Sequence, residues 1–205
     1  MKDSPSVLTE VNGSVAIVRF NRPEQRNPLS LATLQDLEQA TSALFARNDI
    51  QAIIFTGTDD VFASGANIRE LAQLDTDGAL KFSKFGQDLF QTIADARQVT
   101  IAAINGYCMG GGLDLALACD IRVASTTAVF SHPGARLGII TGWGGTQRLP
   151  RIVGRAHALD LFATGRRINS DTALSFGLVT RVEDPVLACA VEISRSSQRQ
   201  RIRNQ

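Results

Sequence analysis

Val99-Thr100-Ile101-Ala102-Ala103-Ile104 runs through Asn105-Gly106-Tyr107-Cys108-Met109 into Gly110-Gly111-Gly112, and then into Leu113-Asp114-Leu115-Ala116-Leu117-Ala118. The first six residues form a short, mostly apolar run, which suits a strand buried on both faces. Asn105-Gly106 ends it. The apolar stretch after the glycines holds no breaker and reads as a helix. A buried strand feeding a helix through glycines is the unit of an α/β fold with mostly parallel pairing.

The same reading extends in both directions. Val7–Val11 and Val15–Phe20 flank Asn12-Gly13, a strong hairpin signal. Ser30 is a plausible N-cap for a helix over Leu31–Phe45, where Leu31, Leu34, Leu37 and Leu44 recur near helical spacing. Ala52–Thr56 is a second buried strand. A loop through Asp59-Asp60 then reaches Phe62–Ala66, and a helix is expected from about Asn67. Phe82, Phe85, Leu89, Phe90 and Ile93 form the core-facing stripe of a longer helix. Asp120–Ala124 and Ala128–Phe130 read as two more strands. After a glycine-rich loop the pattern is helical from Arg148, with breaks at Gly154, Gly165 and Gly177, and Leu178–Val182 reads as a last strand. Residues 1–185 are expected to be one core domain, and 186–205 a short C-terminal helix over Val186–Ile193 with a solvated, Arg-rich tail. A phosphate-binding arm is the alternative reading of Arg195, Arg199, Arg201 and Arg203.

Composition narrows the function classes. The chain has 205 residues, 44% hydrophobic, with 21 Lys+Arg against 20 Asp+Glu. That near-neutral balance provides no global field for nucleic acid or an anionic membrane. Three cysteines, no CxxC pair and two histidines argue against a disulfide framework or a metal site. The N-terminus lacks the apolar stretch of a secretory leader, and no apolar run is long enough to span a bilayer, so a soluble, cytoplasmic protein is expected.

Two glycine turns suggest chemistry. Gly65 and Gly110-Gly111-Gly112 each stand where a strand is expected to meet a helix, and a helix N-terminus offers unpaired N–H groups at the positive end of its dipole. Two such ends aimed at one point would stabilise a thioester oxygen as an oxyanion or enolate. The dinucleotide alternative fails on its third glycine, where Leu115 stands, and neither a phosphate-loop motif nor G-x-S-x-G occurs.

Phe62-Ala63-Ser64-Gly65-Ala66-Asn67-Ile68, Ala103–Ala116, Cys119–Ala124, Gly144–Leu149, Leu161–Gly165 and Ala173–Val179 together resemble the signature of the crotonase superfamily, the enoyl-CoA hydratase/isomerase family, over residues 7 to 183. The resemblance implies a crotonase-like (ClpP/crotonase) spiral of repeated ββα units. It also implies an acyl-CoA ligand, homotrimers or hexamers, and no metal or redox cofactor, coenzyme A entering only as part of the substrate. By position, the oxyanion donors are the backbone N–H groups of Ala66 and Gly111. Gln25, Arg26, Ala63, Gly65, Asn67, Ile68, Tyr107, Gly110, Pro133 and Gly134 line the substrate and CoA, with Arg26 a local cation for a phosphate.

Two positions depart from the family pattern. Of the two glutamates typical of hydratases, the first falls on Asp114, which keeps the carboxylate with a shorter reach. The second falls on Gly134 and is absent; Gly142 stands where some relatives carry another acidic residue. His132 is the nearest titratable group, and a hydrogen-bonded structural histidine is its default reading. Relatives also continue with a longer C-terminal helical segment, so a shortened member is expected. The leading expectation is hydration of a 2-enoyl-CoA with Asp114 as acid/base, fatty-acid metabolism being the commonest setting. Double-bond isomerisation, other crotonase chemistry and a non-catalytic acyl-CoA-binding homologue are the alternatives.

Overall fold

The computed structural model describes residues 5–203, with side chains described as far as Ser196. Met1–Ser4 and the side chains of Arg199, Arg201 and Arg203, on which the leader and tail readings partly rest, lie outside the described residues. Strands β1 (Val7–Asn12) and β2 (Val15–Phe20) form the expected antiparallel hairpin, Val7 opposite Phe20. They lead to β3 (Pro28–Leu29) and helix α1 (Leu31–Phe45), where the Ser30 hydroxyl accepts from Thr33 N at 3.1 Å as the expected cap. Next come β4 (Ala52–Thr56), β5 (Val61–Ala63), β6 (Gly65–Ala66), α2 (Ile68–Leu71) and α3 (Thr76–Ala94). Strands β7 (Val99–Ile104) and β8 (Tyr107–Met109) precede α4 (Gly111–Ala118). Strands β9 (Ile121–Ala124) and β10 (Val129–Ser131) precede a 3₁₀ turn over Pro133–Leu137, then α5 (Gly145–Val153) and α6 (Arg155–Thr164). The described chain closes with β11 (Ile168–Asn169), α7 (Ser170–Ser175), β12 (Arg181–Val182) and α8 (Val186–Arg203).

The topology is the expected spiral. The first strand of each turn joins a six-stranded sheet of order β1-β2-β4-β7-β9-β12, parallel except for the hairpin. The second strand of three successive turns joins a four-stranded sheet of order β11-β10-β8-β5, and β3 pairs with β6 in a small third sheet. Helices α3, α4 and α5 follow these strand pairs.

Side-chain alternation shows why the strands are apolar on both faces. Ala16, Val18 and Phe20 of β2, with Ile53 and Phe55 of β4, enter the main core under α1, α3 and α4. Val15, Ile17 and Ile54 point the other way, into a second cluster closed by Val186, Cys189 and Ala190 of α8. Each such large side chain contributes roughly 1.5–3 kcal/mol by leaving water.

Three expectations need correction. The helix after Pro185 does not stop at Ile193 but runs to Arg203, and the residues that pack on the outer side of the large sheet lie within Val186–Ile193. The expected strand Leu178–Val182 shrinks to β12. Leu178 N and Val179 N donate to Ala173 O at the end of α7, and Arg122 Nε donates to Leu178 O at 2.8 Å, so this backbone is satisfied outside the sheet. The helix expected from Arg148 begins at Gly145.

Candidate active site

The site is built where β6 and α4 touch. Gly65 holds φ +91°, a left-handed conformation open to glycine, and a Cβ there would sit 2.8 Å from Gly111 N. A Cβ on Gly111 would lie 3.4 Å from Ala66 N. The two glycines therefore let the backbones of Gly65-Ala66 and Gly110-Gly111 meet. Gly111 opens α4, so its N–H has no acceptor within the helix and stands at the positive end of the dipole.

Ala66 and Gly111 line one wall of a cavity of about 620 Å³, within the usual range for a small-molecule site. Its other walls are mostly apolar and include Ile68, Leu71, Phe82, Ile139, Ile140 and Phe162. Of the residues the resemblance assigns to substrate or oxyanion contact, Gly65, Ala66, Ile68, Gly110, Gly111, Pro133 and Gly134 line this cavity.

Gln25, Arg26, Ala63, Asn67, Tyr107 and Asp114 stand away from the lining. Ala63 packs behind it, its carbonyl against Gly112. Asn67 caps α2, accepting from Arg69 N at 3.1 Å and donating to Glu70 Oε1 at 3.0 Å. Arg26 lies over the Tyr107 ring at 5.1 Å and pairs with Asp60 at 3.7 Å. Arg167 approaches the same ring at 5.9 Å. The Gln25-Arg26 turn is held by buried Asn27, which donates to Val61 O at 2.8 Å and accepts from Arg22 N at 2.7 Å.

Asp114 is fully buried one layer behind the cavity wall. Its Oδ2 accepts from the Thr141 hydroxyl and from Trp143 N at 3.3 Å. Desolvation pushes the carboxyl up to about 7, while the Thr141 hydroxyl, the Trp143 N–H, the Arg148 charge and the Gly145 N–H hold it down. Its Oδ1 has no hydrogen-bond partner and faces His132 Nε2 at 3.6 Å. His132 lines the cavity but is 3% exposed, and burial pushes its imidazole down to about 4. Its Nε2 faces the Asp114 carboxylate, and its ring lies against Phe162 at a centroid distance of 4.9 Å.

Sequence reasoning missed Trp143, Thr141 and Arg167. The Trp143 ring fills the space left by the absent side chains of Gly86 and Gly111 and meets Phe82 and Phe90 edge-on, at centroid distances of 5.3 and 5.6 Å. The one available signal was the single tryptophan of the chain between Gly142 and Gly144.

A ββα spiral that brings two backbone amides together beside an apolar cavity defines the crotonase class. The chain matches the family model for enoyl-CoA hydratase/isomerase over residues 10–200, and it belongs to that family. It is 39% identical over 181 residues to a short-chain-enoyl-CoA hydratase of Clostridium acetobutylicum, covering 88% of this chain and 69% of the relative. It is 38% identical to a crotonyl-CoA hydratase of Syntrophomonas wolfei, with 88% and 70% covered. Among solved structures it is similar to Pseudomonas aeruginosa DspI, with TM-score 0.91, 34% identity and 97% and 82% of the chains covered. It is also similar to an enoyl-CoA hydratase from Bacillus anthracis, with TM-score 0.89, 33% identity and 93% and 76% covered.

Proposed function

We propose that this enzyme adds water across the double bond of a 2-enoyl-CoA thioester. The observation that carries this reading is the approach of the Ala66 and Gly111 backbones on one cavity wall. Their N–H groups would hold the thioester oxygen as charge moves onto it, in an enclosure that strengthens electrostatic interactions. Removing one such donor in a well-studied protease costs about 2.7–4 kcal/mol of transition-state stabilisation. Asp114, whose carboxyl titrates near neutrality, is the acid/base group on which proton transfer draws. The acyl chain lies along the apolar walls. The Gln25-Arg26 turn, with Arg167 beside it, receives the CoA phosphates. The chemistry needs no metal or redox cofactor.

Double-bond isomerisation is the second reading, favoured by Gly134, which supplies no carboxylate for water. Incubation with crotonyl-CoA and with 3-hexenoyl-CoA, followed by mass analysis and by the conjugated enoyl-thioester absorbance that isomerisation creates, separates the two. Hydration adds one water to crotonyl-CoA, whereas isomerisation converts 3-hexenoyl-CoA without change of mass. The same reading implies self-association into trimers or hexamers in the cytoplasm, which sedimentation equilibrium checks.

A further inference from the structure

Three consecutive residues, Thr141, Gly142 and Trp143, line the cavity and tie it to two helices behind it. The Thr141 hydroxyl donates to Asp114 Oδ2 in α4. Gly142 O accepts from Gln87 Nε2 at 2.7 Å and from Ser83 Oγ at 3.3 Å, both in α3. Trp143 N donates to the same Asp114 oxygen at 3.3 Å, and its ring is wedged against Gly86 of α3 and Gly111 of α4. Asp114 has no exposed surface, so these neighbours set where its carboxyl points.

We propose that Thr141 is a positioning residue for proton transfer: its hydroxyl fixes the orientation of the Asp114 carboxylate and supplies the hydrogen bond that the charged form needs. The proposal rests on the reading of Asp114 as the acid/base group and deepens it. Gly134 contributes no carboxylate, so the proton chemistry falls on one carboxyl that must be both oriented and ionised.

The groups around Asp114 leave this task to Thr141. Among the described residues, Thr141 is the one side chain that donates a hydrogen bond to Asp114. His132 Nε2 faces Oδ1 at 3.6 Å, too far for a hydrogen bond, and burial pushes its imidazole down to about 4, which leaves it neutral near pH 7. Arg148 favours the ionised carboxyl through its charge, but its own N–H groups donate to Trp143 O at 3.2 Å and Gln91 Oε1 at 2.9 Å. The Cys108 thiol is held neutral by burial. The Trp143 and Gly145 N–H groups are backbone and act in the same direction as Thr141. A hydroxyl that donates to a carboxylate stabilises its charged form, so Thr141 works against the desolvation that raises Asp114. The anchors at Gly142 and Trp143 hold the segment on both helices, so the hydroxyl is preset rather than recruited by substrate.

The test follows kcat for crotonyl-CoA against pH in the full chain for the parent, Thr141→Val and Thr141→Ser. Ionised Asp114 accepts the proton, so kcat rises with pH, centred near about 7 in the parent. Thr141→Val keeps the shape of the side chain and removes the bond to the charged form. Its midpoint is expected to move up by about one pH unit, and kcat at neutral pH to fall about tenfold, while the Kd for butyryl-CoA stays that of the parent. Thr141→Ser keeps the hydroxyl and is expected to bring back the parent midpoint. Carbon-13 titration of the Asp114 carboxyl reads the same displacement without turnover. A Thr141→Val enzyme with the parent midpoint, whatever its rate, overturns the proposal, because a structural loss lowers kcat alike at every pH. A serine variant displaced as far as the valine one overturns it as well. A parent that does not hydrate crotonyl-CoA removes the hydratase reading, and the carboxyl titration then decides: an Asp114 signal displaced upward in Thr141→Val sustains the positioning role, and one that is not displaced overturns it.

Discussion

At the scale of single residues, Asp114 and His132 place opposite demands on the fold. The Asp114 carboxyl moves from 3.8 up to about 7, so the folded chain binds more protons than the unfolded chain across that interval and this group's contribution falls as pH rises. The His132 imidazole moves from 6.5 down to about 4, so the folded chain binds fewer protons and its contribution rises with pH over that range. The two slopes oppose each other in the parent. Asp114→Asn leaves only the histidine slope, so its melting temperature is expected to climb between about pH 4.5 and about pH 6.5. A fall over that range in the variant contradicts the assignment. Gly65 tests the proposed oxyanion wall. Gly65→Ala places a Cβ 2.8 Å from Gly111 N at φ +91°, and the strain is expected to lower stability by about 1–3 kcal/mol and to abolish turnover. Turnover at the parent rate in that variant would show that the backbones can separate without consequence.

Elements carry different predictions. Trp143, between the Thr141 loop and α5, anchors that segment against α3 and α4 through Phe82, Phe90, Gly86 and Gly111. Trp143→Ala is expected to cost about 3–5 kcal/mol in chemical denaturation, because the glycines facing it cannot fill the void. It should also loosen the N–H of residue 143 on Asp114 Oδ2. A loss below about 1 kcal/mol would mean that α3 closes over the gap. Helix α8 is the second case. Its Val186, Cys189 and Ala190 cover the face of the large sheet formed by Val15, Ile17, Ile54 and Ile101. Ending the chain at Pro185 exposes a contiguous apolar surface, and the shortened protein is expected to aggregate in light scattering. A monodisperse product of that truncation refutes the role given to the helix.

For the molecule as a whole, what was legible in the sequence follows physical periodicity. The strands Ala52–Thr56 and Val99–Ile104 announced themselves because both of their faces are buried, and α1 because its leucines follow the helical repeat. The strands β8 and β11, of three and two residues, are too short to show a period. Helix α8 was expected to end early because its second half is polar, whereas the residues that anchor it lie in its first turns. Gly65 and Gly111 were legible because a close backbone approach needs glycine. Trp143, Thr141 and the contact of His132 with Asp114 were not, since each depends on a loop closing over α4 from residues 18 to 29 positions downstream of Asp114. The central claim joins these levels: the spiral positions two amides and one proton-handling group around an enoyl thioester. Its most direct test is the loss of the conjugated enoyl-thioester absorbance when the purified protein meets crotonyl-CoA, with Asp114→Asn measured in parallel. The account predicts steady loss with the parent and little with the variant. An unchanged absorbance with a parent that still binds butyryl-CoA would contradict it.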